Sequence, residues 1–332
     1  MHAYLKTLTL LCLTLGLTLL LLIDFGSSET PEVITKYGKI RGTYLKPRSS
    51  TKCPVYYKIP FAKPPVKNLR FEKTRSLTSD DKWEGVMDAS VRPPACISVP
   101  MRHLETGSGS DLIADESEDC LYLSVVTPHP DAVPGLDRLP VMVYIHGGGY
   151  VRGNSKKYVT DRVCATLVNQ DVIFVAVQYR LGYLGFLASG DEAAPGNFGL
   201  YDQLEALKWV HSNIDAFGGD SERVTIFGQS AGGGGVSLLT YIPIAQPYFQ
   251  RAIAMSGSAF AYWTLNDRPI RSFNGFSKAL GCGGASEKNS AAKVDCLKTK
   301  SIQEMQDAHW NTFQSPYTGA KRKTSGKEYI GG

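Results

Sequence analysis

The chain has 332 residues, of which 43% are hydrophobic and 20% charged, with a formal net charge of +5. These values exclude a disordered or fibrous chain and describe a globular protein with a sizeable core. Part of the positive balance sits in one late cluster, Lys321, Arg322, Lys323 and Lys327, with no interleaved aromatic residues. It reads as a solvated tail, and no nucleic-acid partner is expected.

Residues 1–28 read as a secretory signal peptide. Lys6 precedes an apolar and threonine run that ends at Ile23, and Asp24 and the small residues of "FGSS" follow. The competing reading is an uncleaved anchor. The expected mature chain begins near Glu29, is secreted and has no stable membrane association. Further along, "VITKYGKIRGTYL" has the pattern of a hairpin, with Gly38 near its turn. "VYYKIPFAKPPVKNLRF" is extended and broken by prolines. "LPVMVYIHGGGY" is a strand running into a glycine loop. "VIFVAVQYRLG" is a continuously apolar strand of the kind buried on both faces of a parallel sheet. A helix follows in "NFGLYDQLEALKWVHSNIDAFGGD", with Leu200, Leu204, Leu207, Trp209 and Val210 at mostly helical spacing and glycine at its end. "RVTIF" and "RAIAMSGS" are two further strands. The alternation predicts an α/β fold with a mainly parallel central sheet.

One junction carries chemistry. In "RVTIFGQSAGGGGVSLL" a strand turns directly into a helix, and Ser230 lies within G-Q-S-A-G. Such an elbow exposes the serine oxygen at the top of a sheet and demands small flanking residues, here Gly228 and Gly232. Ser230 also sits at the positive end of the following helix. Upstream, the "HGGGY" loop, His146 to Tyr150, can aim backbone N–H groups at an oxyanion, and the N–H of Ala231 is a further donor. Together these residues point to acyl transfer through a serine nucleophile, a chemistry that requires no metal or cofactor.

Secretion makes the cysteines informative. There are seven, and Cys12 leaves with the signal. The remaining six allow about 15 full pairings. Cys96 with Cys120, and Cys282 with Cys296, each bracket a short polar loop that suits a staple. Cys53 and Cys164 are left over, are expected not to pair with each other, and Cys164 reads as a buried thiol on a helix.

The chain resembles the type-B carboxylesterases and cholinesterases, a family of α/β-hydrolase fold, through nearly all of its length up to about residue 310. "IPFAKPP" followed by "LRF", "EDCLYLSV" and "FGGDSERVTIFGQSAGG" are similar to family signatures and occur in the family's order. The resemblance implies a small-molecule ester as substrate. It implies Ser230 as nucleophile, Gly148, Gly149 and Ala231 as oxyanion donors, and disulfides Cys96–Cys120 and Cys282–Cys296. It also implies ion pairs Arg70–Glu118 and Arg180–Asp202. Trp263 matches an acyl-pocket position, ordinary core packing being the alternative.

Two departures qualify the resemblance. Gln229 stands where cholinesterases carry a glutamate, and the segment between Cys96 and Cys120 has no tryptophan to hold a quaternary ammonium. A choline ester is therefore not the expected substrate. The family's triad acid and histidine also follow the serine at a distance. After Ser230 the sequence offers only His309, which reads as a helix-end residue. His146 would shape the oxyanion loop. Glu287, Glu304 and Glu328 read as charges of helices or of the tail. The reading adopted is thus an N-terminal part of an esterase, residues 29–332, whose triad partners lie past Gly332 and which is inactive alone. The alternatives are a non-catalytic, cholinesterase-like binding or adhesion protein and a natural inactive short isoform.

Overall fold

A computed structural model describes residues 30–48, 51–99, 115–130, 138–284 and 288–312, the last four without their side chains. The leader, Glu287, Glu328 and the late basic cluster lie outside the described residues.

The first strands are β1 (Glu32–Thr35), β2 (Gly38–Arg41), β3 (Thr43–Leu45), β4 (Cys53–Pro60) and β5 (Val86–Asp88). Next come β6 (Ala95–Cys96), β7 (Glu116–Ser117), β8 (Tyr122–Val126) and β9 (Leu139–Ile145). Helix α1 (Asp161–Ala165), β10 (Ile173–Val177), α2 (Gly182–Phe186) and α3 (Phe198–Asn213) lead to β11 (Gly219–Gln229) and α4 (Ala231–Thr240). Strand β12 (Arg251–Met255) and helices α5 (Pro269–Ala279), α6 (Ser290–Lys298) and α7 (Ile302–Thr312) complete the series.

A seven-stranded sheet in the order β12-β11-β9-β10-β8-β4-β3 is the frame. It is mixed. β12, β11, β9 and β10 run parallel, and β8, β4 and β3 extend the sheet by antiparallel pairing. The expected parallel arrangement therefore holds for the half that carries the serine elbow. The hairpin expected around Gly38 is β1–β2, with Thr35 opposite Gly38.

Alternation along the strands builds a core on each face. Val141, Val143 and Ile145 of β9 join Val175, Val177, Val224 and Ile226 in one cluster with Leu204, Leu207 and Val210 of α3. On the other face Tyr144, Phe174 and Phe227 pack with Val163 and Cys164 of α1. All five residues of β10 are buried. Each large apolar side chain so enclosed contributes about 2 kcal/mol. Helix α3 is enclosed on more than its apolar stripe, since Asp202 and Gln203 are buried as well.

Both ion pairs implied by the resemblance are present. Arg70 forms a two-pronged bridge to Glu118 and donates through Nη1 to the carbonyls of Lys298, the last residue of α6, and Lys300, at 3.1 and 2.7 Å. Arg180 pairs with fully buried Asp202, which accepts from the Arg180 backbone N–H at 2.9 Å, from Nε and Nη2 at 2.8 Å and from Thr74 Oγ1 at 2.5 Å.

The disulfides correct one expectation. Cys96–Cys120 and Cys282–Cys296 are joined, but so are Cys53 and Cys164. The last pair closes a separation of 111 residues, which proximity in sequence could not reveal. Tertiary packing makes it. Cys53 opens β4, α1 lies on the same face of the sheet, and the Lys46 N–H donates to Asp161 Oδ1 at 3.0 Å beside them. Cys164 is buried on a helix as expected, though not as a free thiol.

Strand β12 is an uncovered edge among the described residues. Every one of its residues is exposed, Ile253 by 45% and Met255 by 38%. Tyr241, Ile244, Phe260 and Tyr262 are exposed as well. An apolar strand edge of this kind promotes self-association. Light scattering of purified protein with the given sequence is expected to show concentration-dependent association, reduced by Ile253→Lys. The buried ion pair makes a second prediction. Asp202→Asn removes one charge and leaves the Arg180 guanidinium uncompensated, so denaturant unfolding should show a loss of about 3 kcal/mol.

Candidate active site

The site is assembled where two parallel strands end side by side. β9 and β11 are in register from Val141/Val224 to Ile145/Gly228, so the loops leaving their C-terminal ends must meet. The first is the glycine loop, the second the serine elbow. A side chain at Gly228 would begin 2.6 Å from the Ile145 oxygen and the Gly232 carbonyl, and one at Gly232 would collide with the Ile145 oxygen. These two glycines let strand, loop and helix close on one another. Gly147 lies against Gln229 and Ser230, a Cβ built on it standing 3.2 Å from Ser230 Cβ.

Ser230 has φ 57° and ψ −125°, a sparsely populated conformation for a residue with a side chain. Such a conformation costs on the order of 1–3 kcal/mol and persists only when its surroundings fix it. Here the Ser230 N–H donates to the Met255 oxygen of β12 at 2.8 Å, and the Ser230 oxygen accepts from Gly234 at 2.9 Å in the first turn of α4. The hydroxyl does not cap the helix, and among the described residues it has no hydrogen-bond partner. Ser230 is half-buried beside exposed Gln229.

Of the expected oxyanion donors, Ala231 follows this serine directly, and Gly148 and Gly149 follow Gly147, which packs on it. Ala231 is the first residue of α4 and is fully buried, and first-turn N–H groups have no partner within a helix. The Gly148 carbonyl accepts from Val151 and Arg152 at 3.2 and 3.1 Å, which folds the glycine loop back on itself. The N–H groups of Gly148 and Gly149 donate to no acceptor among the described residues. Both glycines have positive φ, 129° and 64°. Unpaired N–H groups at a helix start and on an adjoining loop form a site that accepts negative charge.

His146 is completely buried, its ring stacked on Tyr179 with centroids 4.5 Å apart. Its Nδ1 is 3.0 Å from the Gly147 oxygen, and Nε2 has no partner among the described residues. Burial pushes its pKa down from 6.5 to about 4, so it is neutral at pH 7 and enclosed in the loop base. This agrees with a role in shaping the loop. His309 lies on α7, which packs on α5 and whose Gln306 donates to the Ser98 oxygen at 3.1 Å. Glu304 closes the start of that helix by accepting from the Ser301 N–H at 2.8 Å.

Trp263 is half-buried and belongs to the rim of the main core. Its ring centroid is 6.4 Å from that of Tyr150, and its Cζ3 comes within 3.4 Å of where a Cβ on Gly234 would stand. It is therefore one turn of α4 from Ser230. Tyr150 was not foreseen as part of the site. It has φ 59° and a buried hydroxyl that faces Thr264, and its ring also packs on Phe186 at 5.1 Å. The only hint in the sequence was its place directly after the glycines.

A family model described as the carboxylesterase family matches residues 29–325. The chain belongs to the carboxylesterase family. The α/β-hydrolase fold expected from the motifs is thereby established for it. Relatives with different names lie at similar identity. A protein from Anas platyrhynchos named fatty acyl-CoA hydrolase precursor, medium chain, is 39% identical over 307 residues, covering 91% of this chain and 53% of the relative. Carboxylesterase 1E of Mus musculus is 41% identical, covering 84% and 49%. Neuroligin-3 of Mus musculus is 37% identical, covering 89% and 39%. The chain thus spans about half the length, or less, of the curated relatives it matches.

The buried histidine of this carboxylesterase-family chain makes stability depend on pH. Its folded pKa of about 4 lies below the unfolded 6.5, so unfolded chains take up a proton that folded chains refuse. The neutral imidazole is tolerated in full above pH 6.5, and stability falls as pH drops from 6.5 toward 4. The span corresponds to on the order of 3 kcal/mol. Denaturant midpoints measured across this window should fall with pH, and His146→Gln should flatten that part of the profile.

Proposed function

We propose that the protein is a secreted serine carboxylesterase in which Ser230 is the nucleophile. The observation that carries this reading is the geometry at the elbow. A serine in a strained backbone conformation, its hydroxyl without a partner among the described residues, packs on Gly147 of the glycine loop, whose next two N–H groups have no acceptor among the described residues, and precedes the first N–H of α4. Ser230 Oγ attacks the ester carbonyl carbon, and its proton passes to a histidine. The Gly148, Gly149 and Ala231 N–H groups hold the oxygen of the tetrahedral intermediate. The alkoxide leaves with the proton, and water then attacks the acyl-serine to release the acid. Trp263 and Tyr150 wall the space for the acyl group. The triad acid and histidine are assigned to polypeptide outside the described residues, since no described histidine or carboxylate bonds to Ser230. Absence of tryptophan between Cys96 and Cys120 argues for an uncharged ester rather than a choline ester. Secretion is supported by the apolar leader and by three disulfides, which persist in oxidising compartments.

A second reading, a binding protein of the same fold, draws on the similar identity to neuroligin-3. The intact elbow weighs against it.

The experiment is to sequence the 3′ end of the transcript, express its full coding sequence, and assay a short-chain aryl ester beside a fluorophosphonate probe. Protein recovered from the medium should begin near Glu29. Ser230→Ala should abolish labelling and lower turnover by about 10⁶-fold. The 332-residue chain tested alone should be nearly as inactive as that variant. If the full coding product neither turns over ester nor reacts with the probe, the binding reading replaces this one. Turnover by the 332-residue chain that Ser230→Ala removes would instead make His309 or His146 the base.

A further inference from the structure

We propose that residues 95–99, anchored by the Cys96–Cys120 disulfide, are the positioning element that holds the glycine loop against Ser230. The inference deepens the esterase reading and rests on it for its catalytic consequence, though not for its structural one.

The glycine loop has two limbs. Its near limb, Gly147, packs on the serine elbow. Its far limb, Tyr150 and Val151, is held by two backbone donors from elsewhere in the chain. The Gly182 N–H donates to the Tyr150 oxygen at 2.7 Å, and the Val99 N–H donates to the Val151 oxygen at 2.8 Å. The two clamps touch each other, because Val99 Cγ2 lies 2.8 Å from where a Cβ on Gly182 would stand. Gly182 opens α2, next to the buried Arg180–Asp202 pair, and is firmly placed. Val99 has weaker support from secondary structure.

The strand before it, β6, is two residues long and among the described residues pairs only with the two residues of β7. A side-chain bond between Ser98 and Glu116 and one from Gln306 to the Ser98 oxygen add to it. Ile97 and Val99 of the segment are buried in the cluster that contains Phe71 and Leu184. That packing seats the side chains, and one covalent link joins the segment to the main sheet. The link is the disulfide: both cysteines are 1% exposed, and Cys120 lies two residues before β8, a strand inside the main sheet. The tether thus runs from the sheet through Cys120, Cys96 and Val99 to Val151. Hydrogen-bond donors aimed at a transition state lose their effect when displaced by about 1 Å, so losing the tether acts on the chemical step rather than on substrate affinity.

Hydrogen exchange of the full chain tests this without reference to activity. The Val151 and Arg152 amides, both bonded to the Gly148 oxygen, report the loop. Their exchange should be at least about 10-fold faster in Cys96→Ser/Cys120→Ser. It should also be faster in Val99→Pro, which keeps the disulfide and deletes the N–H donor. Cys282→Ser/Cys296→Ser, which breaks a different staple, should leave these amides unchanged, and β9 should stay protected in all three. In protein competent for ester turnover, Val99→Pro should lower kcat about 10-fold with KM within about twofold. Unchanged exchange of Val151 and Arg152 in Val99→Pro overturns the proposal, as does equal acceleration by loss of the Cys282–Cys296 bridge. If wild-type protein lacks turnover and probe labelling altogether, the esterase reading fails, and the exchange results still decide the tether.

Discussion

Two backbone segments share a space at the top of this sheet that admits no Cβ atoms between them. β9 and β11 are adjacent and parallel, so the loop leaving one and the helix starting from the other are pressed together above their ends. Gly147, Gly228 and Gly232 stand where a side chain would strike the opposing backbone or the serine. The closeness fixes Ser230 in a conformation it would not adopt by itself, between the glycine loop and the start of α4. The strain at Ser230 is offset by the hydrogen bond from its N–H to Met255 and by enclosure of the first turn of α4.

Everything outward from that contact serves to keep the two segments in place. β10 presses on β9 from the other side and is buried on both faces, which keeps the strand end rigid. α3 closes one face, and its Asp202 anchors Arg180 just before the turn into α2, whose first residue clamps the glycine loop. Arg70 ties Glu118, beside the first disulfide, to carbonyls at the end of α6, beside the second. The polar interior is thus a set of fixed points around the site. A neutral, fully buried His146 belongs to the same scaffold, since a charged ring there would be desolvated without a counter-charge.

Family membership and the geometry bear on different links of the argument. The carboxylesterase family gives the fold, and it includes relatives named as hydrolases and relatives named neuroligins at nearly the same identity. Overall likeness does not separate an enzyme from a binding protein. The elbow adds a local observation, a serine in a sparsely populated conformation whose hydroxyl has no partner among the described residues. The uncovered strand β12 bears on the rest, since an apolar edge exposed on both faces is a surface on which further polypeptide can pair.

What the sequence by itself determined were features whose cause is local. The strand-to-helix turn at Ser230 was legible because the pattern changes period there and glycines stand at the required offsets. β10 was legible because a run apolar at every position has only one kind of place in a sheet. The Cys96–Cys120 and Cys282–Cys296 bridges were suggested by spacing and implied by resemblance. Tertiary structure alone decided what depends on distant segments meeting. The Cys53–Cys164 bridge forms because α1 lies on the sheet face beside the start of β4, at a sequence separation of 111. The antiparallel half of the sheet, the clamp of Val99 on Val151 and the place of Tyr150 next to Trp263 have the same origin. No periodicity records such contacts, because they are set by how strands order themselves in a sheet and which loops that order brings to one end.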